Sequence, residues 1–298
     1  MEARGVAAAV LSSALGGTAI GATRYLAEAL DPITIGAIRF GGGFLALLPI
    51  MLVRGENWPA TPDRLPAAAL GVLFFCIFPF LFNAALIYTT AARGALALST
   101  LPLLSVVIGA LLRVERPTIR KTVGVLIAMS GVAIALGAGY AGAPTGAWRG
   151  DLLMICAAFC MAFYSVLSRP LIARNGPLPI AAFGMGIGAL CLGILSIRAN
   201  PFQALSAFDS VQWFSVVYLA IVCGALIFFL WAFALRHTTA TVVTVSVTVN
   251  PVTAAIFGGL LLGEPVGPSL AIGLVAVLAG IALAGAGQAR SVPSSRKT

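Results

Sequence analysis

The side chains able to bind or react are few, and most stand singly inside apolar runs. Arg39 lies within PITIGAIRF, Tyr164 within CMAFYSV, Ser99 near Pro102, and Thr241, Thr244 and Thr248 near Pro251; His237 is the sole histidine. Aromatic residues gather in two stretches, Phe74, Phe75, Phe78, Phe80 and Phe82 in one and Phe228, Phe229, Trp231 and Phe233 in the other. Rings and hydroxyls of this kind suit reversible binding: facing rings form an apolar slot for a planar molecule, each contact giving on the order of 1 kcal/mol beyond burial. Phe78, Phe82, Ser99, Tyr164, Trp231, Thr244 and Thr248 are therefore the candidate substrate-binding residues, with Tyr164 the preferred hydrogen-bonding group. Bond-making chemistry has no matching pattern. There is no HExxH, no GxSxG, no pair of aspartates inside an apolar run and no Walker loop, so no enzyme activity, metal or cofactor is expected. The five cysteines lie in apolar runs without a CxxC and read as small packing residues.

The elements that carry these side chains must be membrane helices. With 60% hydrophobic residues, 9% charged and a mean hydropathy of +1.05, the chain has too little charge to cover a water-facing surface. The net charge of +9 does not point to nucleic acid, because the 18 basic residues are scattered in ones and twos. Apolar runs of about 20 residues, the length that crosses a bilayer, predict ten spans: Gly5–Ala29, Ile33–Val53, Pro66–Thr90, Gly94–Arg113, Ile119–Gly139, Asp151–Ala173, Pro179–Ala199, Trp213–Leu235, Thr239–Leu262 and Gly267–Gly287. The first run is longer than a signal peptide's apolar core and leads through Asp31-Pro32 straight into the second, so it counts as a span. With a cytoplasmic N-terminus, thirteen basic residues fall on the inner side and four (Arg24, Arg93, Arg149, Arg198) on the outer, which predicts cytoplasmic termini. Arg39 sits inside the second span and needs a partner there; Glu28 and Asp31 at the preceding turn are within reach.

The chain also repeats itself. Thr89 and Thr238, Pro102 and Pro251, Gly109 and Gly258, Glu115 and Glu264, Gly124 and Gly273, and Gly131 and Gly280 are each 149 residues apart, as are Phe82 and Trp231. Upstream the offset is 145, pairing Arg24 with Arg169, Pro32 with Pro177, Gly41 with Gly186 and Gly43 with Gly188. Five spans per copy is an odd number, so the second copy must enter the membrane upside down. The expected fold is an all-α membrane protein of ten transmembrane helices, two inverted five-helix repeats around a central cavity: residues 1–140, residues 141–287 and a cytoplasmic tail at 288–298. Pro102 and Pro251 each free the carbonyl four residues back, at Leu98 and Val247, and are read as helix breaks for gating. Thr241, Thr244, Thr248 and Pro251 share one helical face, as Ala92, Ala95, Ser99 and Pro102 do, and these faces are expected to wall the cavity. Glu115 and Glu264, each followed by proline, read as structural charges at helix starts. Gly17-x3-Gly21, Gly41-Gly42-Gly43 and Gly184-x-Gly186-x-Gly188 are surfaces for close helix approach.

In the order and duplication of these pieces, DPITIGAIRF with its arginine, the run from Tyr88 through Pro102 to Glu115, and the copy with Pro251 and Glu264, the chain resembles the drug/metabolite transporter superfamily. Within it the likeness is to ten-span exporters built from two EamA domains, and among those to aromatic amino-acid exporters. The resemblance implies a multi-pass inner-membrane protein, a lipid-embedded exporter of small metabolites, with Arg39 as a structural charge. The expected substrates are amino acids, aromatic or large and apolar, moved by alternating access; nucleosides, sugars or cationic drugs are the alternative. No acidic residue lies mid-span to relay protons, so obligatory proton coupling is not expected. Oligomeric state has no signature in the sequence.

Overall fold

The computed structural model describes residues 2–114, 145–197 and 205–263, with scattered positions between 119 and 130 and between 272 and 279. Glu115, Glu264 and most of the spans expected over 119–139 and 267–287 lie outside the described residues. Within them the chain is all helical: α1 (Glu2–Leu26), α2 (Pro32–Val53), α3 (Thr61–Tyr88), α4 (Ala91–Leu111), α5 (Ala147–Asn175), α6 (Pro177–Ser196), α7 (Ser210–His237) and α8, which runs in pieces over Ala240–Ser246, Val247–Val249 and Asn250–Leu262. The first seven are long and apolar enough to cross a membrane.

Local chemistry sets the ends. Asp31 caps α2 by accepting from the backbone N–H of Ile33 and Thr34, both at 3.0 Å, with Pro32 in the first turn where its missing N–H costs nothing. Asp209 and Gln212 form a reciprocal capping box at the start of α7. Gly176, at φ 91°, turns the chain from α5 directly into α6, a conformation that a side chain would strain.

The repeat is visible in backbone detail. Thr90 and Thr239, 149 apart, cap α4 and α8 by accepting from the N–H of Arg93 and of Val242. A π-helical turn interrupts α3 at Leu73–Ile77 and α7 at Leu219–Leu226. One turn before each proline the α-helix gives way, at Ser99–Thr100 in α4 and at the 3-10 turn Val247–Val249 in α8. The packing is exchanged between copies: α1 lies against α7 and α8, and α5 against α3 and α4. At the centre α2 packs along α6 in the opposite direction, Gly36 beside Leu192 and Gly43 beside Met185.

Small residues make this possible. A Cβ on Gly188 would lie 2.4 Å from the Cβ of Phe75, and the matching Gly43 has the Gly224 backbone at 2.9 Å. On one side of the molecule charges join the helices as well. Arg93 pairs with Asp151 at 2.6 Å, with Thr89 donating to the same carboxylate, and at the other end of α5 Arg174 and Asn175 both bind Asp63. Arg93, expected in an outer loop, is thus buried in the first turn of α4. On the α1 side the joins are hydroxyls: Ser12 donates to the Ile227 carbonyl, Ser13 bonds Ser246, Ser246 reaches the Ala9 carbonyl, and Thr18 bonds the Tyr218 hydroxyl.

Candidate functional site

Between the two sets of four helices lies a narrow cavity of about 40 Å³, lined among others by Phe78, Phe82, Ile227 and Trp231. It has room for a few waters and not for an amino acid. Much of its wall comes in pairs from equivalent positions: Phe78 with Ile227, Phe82 with Trp231 and Leu98 with Val247 at an offset of 149, and Gly16 with Met161 at 145. The remainder of the wall, Ser12, Ser13, Arg39, Phe228 and Asn250, has no such partner and supplies most of its polarity.

The sequence-selected residues divide here. Phe78, Phe82 and Trp231 line the cavity; Ser99, Tyr164, Thr244 and Thr248 are buried beside it without reaching its wall. Ser99 Oγ donates to the Ala95 carbonyl, Thr244 to that of Thr241 and Thr248 to that of Val245, so these hydroxyls serve their own helices. Tyr164 stacks on Phe74 at 4.0 Å within a cluster of edge-to-face rings that includes Phe40, Phe75 and Phe228, of which Phe228 reaches the cavity wall. Pro102 and Pro251 stand just beyond Leu98 and Val247, whose carbonyls they release. Only one of the two has a side-chain donor. The Asn250 side chain bridges the carbonyls of Val247 and Ser13, whereas the corresponding residue of the first copy is Leu101, which has no side-chain donor.

Arg39 is 4% exposed, yet neither Glu28 nor Asp31 pairs with it. Asp31 is engaged in capping α2 and Glu28 is exposed, which corrects the partner expected from sequence proximity. Instead Nε and Nη2 both donate to the carbonyl oxygen of Cys223, at 3.3 and 3.1 Å, within the π turn of α7. Its charge rests between the rings of Phe40 and Phe228, 5.2 and 5.5 Å from their centroids. Sequence reasoning missed this carbonyl, and also Ser12, Ser13, Phe228 and Asn250. The only signal for the crossing was the small-residue pattern at Gly41–Gly43.

The profile of the EamA-like transporter family matches residues 3–137 and again residues 148–286. The chain belongs to that family. It resembles an uncharacterised protein of Pseudomonas aeruginosa at 31% identity, over 86% of this chain and 84% of that one. A probable terminal-alkyne amino-acid exporter of Streptantibioticus cattleyicolor is 27% identical over 77% of this chain and 75% of its own. A solved crystal structure superposes with a TM-score of 0.72 at 23% identity, covering 96% of each chain, and supports the fold. This EamA protein is accordingly a multi-pass membrane transporter, and the cavity where its two copies meet is its candidate substrate site.

Proposed function

We propose that the protein is a secondary transporter that exports amino acids with aromatic or large apolar side chains. The observation that carries this reading is the aromatic-walled cavity on the junction of the two copies, half of it built from equivalent positions. Two near-equivalent halves can exchange two near-equivalent states, one open to each side, and a substrate held at their junction is passed between them. The antiparallel packing of α2 on α6 supports an inverted relation of two five-helix repeats, residues 1–140 and 141–287, in the inner membrane with cytoplasmic termini. Phe78, Phe82 and Trp231 form the slot for the ring, and the breaks at Pro102 and Pro251 let α4 and α8 bend as the cavity opens. The amino-acid exporter among the relatives supports the substrate class.

Among the described residues no Asp or Glu lines the cavity, which supports transport down the substrate gradient without obligatory proton coupling. The test is uptake of labelled phenylalanine into liposomes holding the purified protein, with no ion gradient and with excess tryptophan as competitor. Saturable uptake blocked by tryptophan is expected. Accumulation above the external concentration under an imposed pH gradient would overturn the uncoupled mechanism.

A further inference from the structure

Arg39 has more donors than the protein gives it acceptors. Its guanidinium carries five N–H groups in a planar fork, and the hydrogen bonds it makes, from Nε and Nη2, converge on one carbonyl oxygen. Among the described residues no carboxylate pairs with it, although a buried cation without a counter-ion carries a large desolvation cost. It lies on the wall of the central cavity. Trp231 lines the same cavity, and its buried indole N–H has no hydrogen-bond partner. A scaffold role accounts for the bond to Cys223 and leaves the surplus donors, the missing anion and the cavity position unexplained.

We infer that Arg39 receives the carboxylate of the transported molecule, so that the site selects organic carboxylates and rejects cations. The Cys223 carbonyl and the rings of Phe40 and Phe228 hold the guanidinium plane in place, leaving its Nη1 side for the ligand. Because Gly184 stands at the position equivalent to Arg39, the second copy offers no competing charge and the substrate has one orientation. The opposite pole is the Leu98 carbonyl, released by Pro102 and lacking the side-chain donor that Asn250 gives to Val247, which suits the ammonium of a zwitterion. The inference deepens the amino-acid reading and rests on it for the identity of the molecule, but the carboxylate site itself can be tested without transport.

The experiment measures thermal stabilisation and tryptophan-fluorescence quenching of purified protein by four probes: phenylalanine, 3-phenylpropionate, phenylalaninol and phenethylamine. The two carboxylates are expected to bind, and the two molecules lacking a carboxylate to bind at least ~10-fold more weakly, about 1.4 kcal/mol. Arg39→Gln should abolish that preference, whereas Arg39→Lys, which keeps the charge and loses the fork, should retain it at reduced affinity. Equal binding of phenethylamine and 3-phenylpropionate to the wild type overturns the inference, as does an undiminished carboxylate preference in folded Arg39→Gln. Should Arg39→Gln not fold, the wild-type and Arg39→Lys measurements decide the matter alone. Arg39-dependent binding of 3-phenylpropionate without phenylalanine transport would keep the carboxylate site and overturn the amino-acid reading. Phenylalanine transport that is indifferent to Arg39→Lys and to loss of the substrate carboxylate would do the reverse.

Discussion

The two long helices α1 and α5 occupy equivalent places, yet they are held in different ways. α5 is pinned at both ends by ion pairs, Arg93 with Asp151 and Arg174 with Asp63, whereas α1 is joined to α7 and α8 by single hydroxyl bonds and close backbone contact. The buried Arg93–Asp151 pair resists separation because pulling it apart strands a charge; the Arg174–Asp63 pair, with Arg174 exposed, holds less tightly, and a serine bonded to a carbonyl can change partners at little cost. The contrast predicts that α5 moves with α3 and α4 as one body, and that the halves slide at α1.

The largest disturbance of this contrast is Arg93→Ala, which strands Asp151 where its side chain is only 15% exposed. It should cost about 3 kcal/mol, seen as a lowered melting temperature that Arg93→Ala/Asp151→Ala partly restores. Next comes Gly17→Ala on the α1 side. Its Cβ would fall 1.8 Å from Thr253 Oγ1 and 2.6 Å from the Asn250 carbonyl oxygen, so α1 must draw back from α8. A loss of roughly 2 kcal/mol is expected, while Gly41→Ala, with nothing within 4 Å of the new atom, should be neutral. An effect of Gly17→Ala no larger than that control would show that α1 has slack the contacts deny.

Smaller still, Ser246→Ala removes the bonds to Ser13 and to the Ala9 carbonyl and should cost about 1 kcal/mol. If α1 is the sliding side, the turnover rate in proteoliposomes changes by more than the melting temperature suggests; an unchanged rate places the motion elsewhere. Pro251→Ala should alter stability least, since it supplies an N–H to the Val247 carbonyl that Asn250 already serves. Transport should nonetheless slow more than expression falls, and equal activity per folded molecule would count against bending at this break.

The repeat, the helices and three of the cavity's aromatic residues were legible because each leaves a linear mark: a constant offset, an apolar run, or rings on one helical face. The partner of Arg39 was not. Proximity along the chain favoured Asp31, but a carboxylate at a helix start is held by backbone N–H groups, and the acceptor came instead from a helix nearly two hundred residues away. The threonines of α8 were legible as a polar face, though not as hydroxyls already bonded to their own helix. Nor does any residue pattern announce the π turns, in which one additional residue is accommodated without breaking the helix.

Those π turns also record the order of events in the molecule's past. A turn acquired after the copying would sit in one half alone. Both halves carry it, at Leu73–Ile77 and within Leu219–Leu226, and the two stretches correspond at the offset of 149 that Phe82 and Trp231 share. The bend therefore belonged to the half-length ancestor. Since the copying the two halves have diverged, leaving Arg39 in one where the other has Gly184.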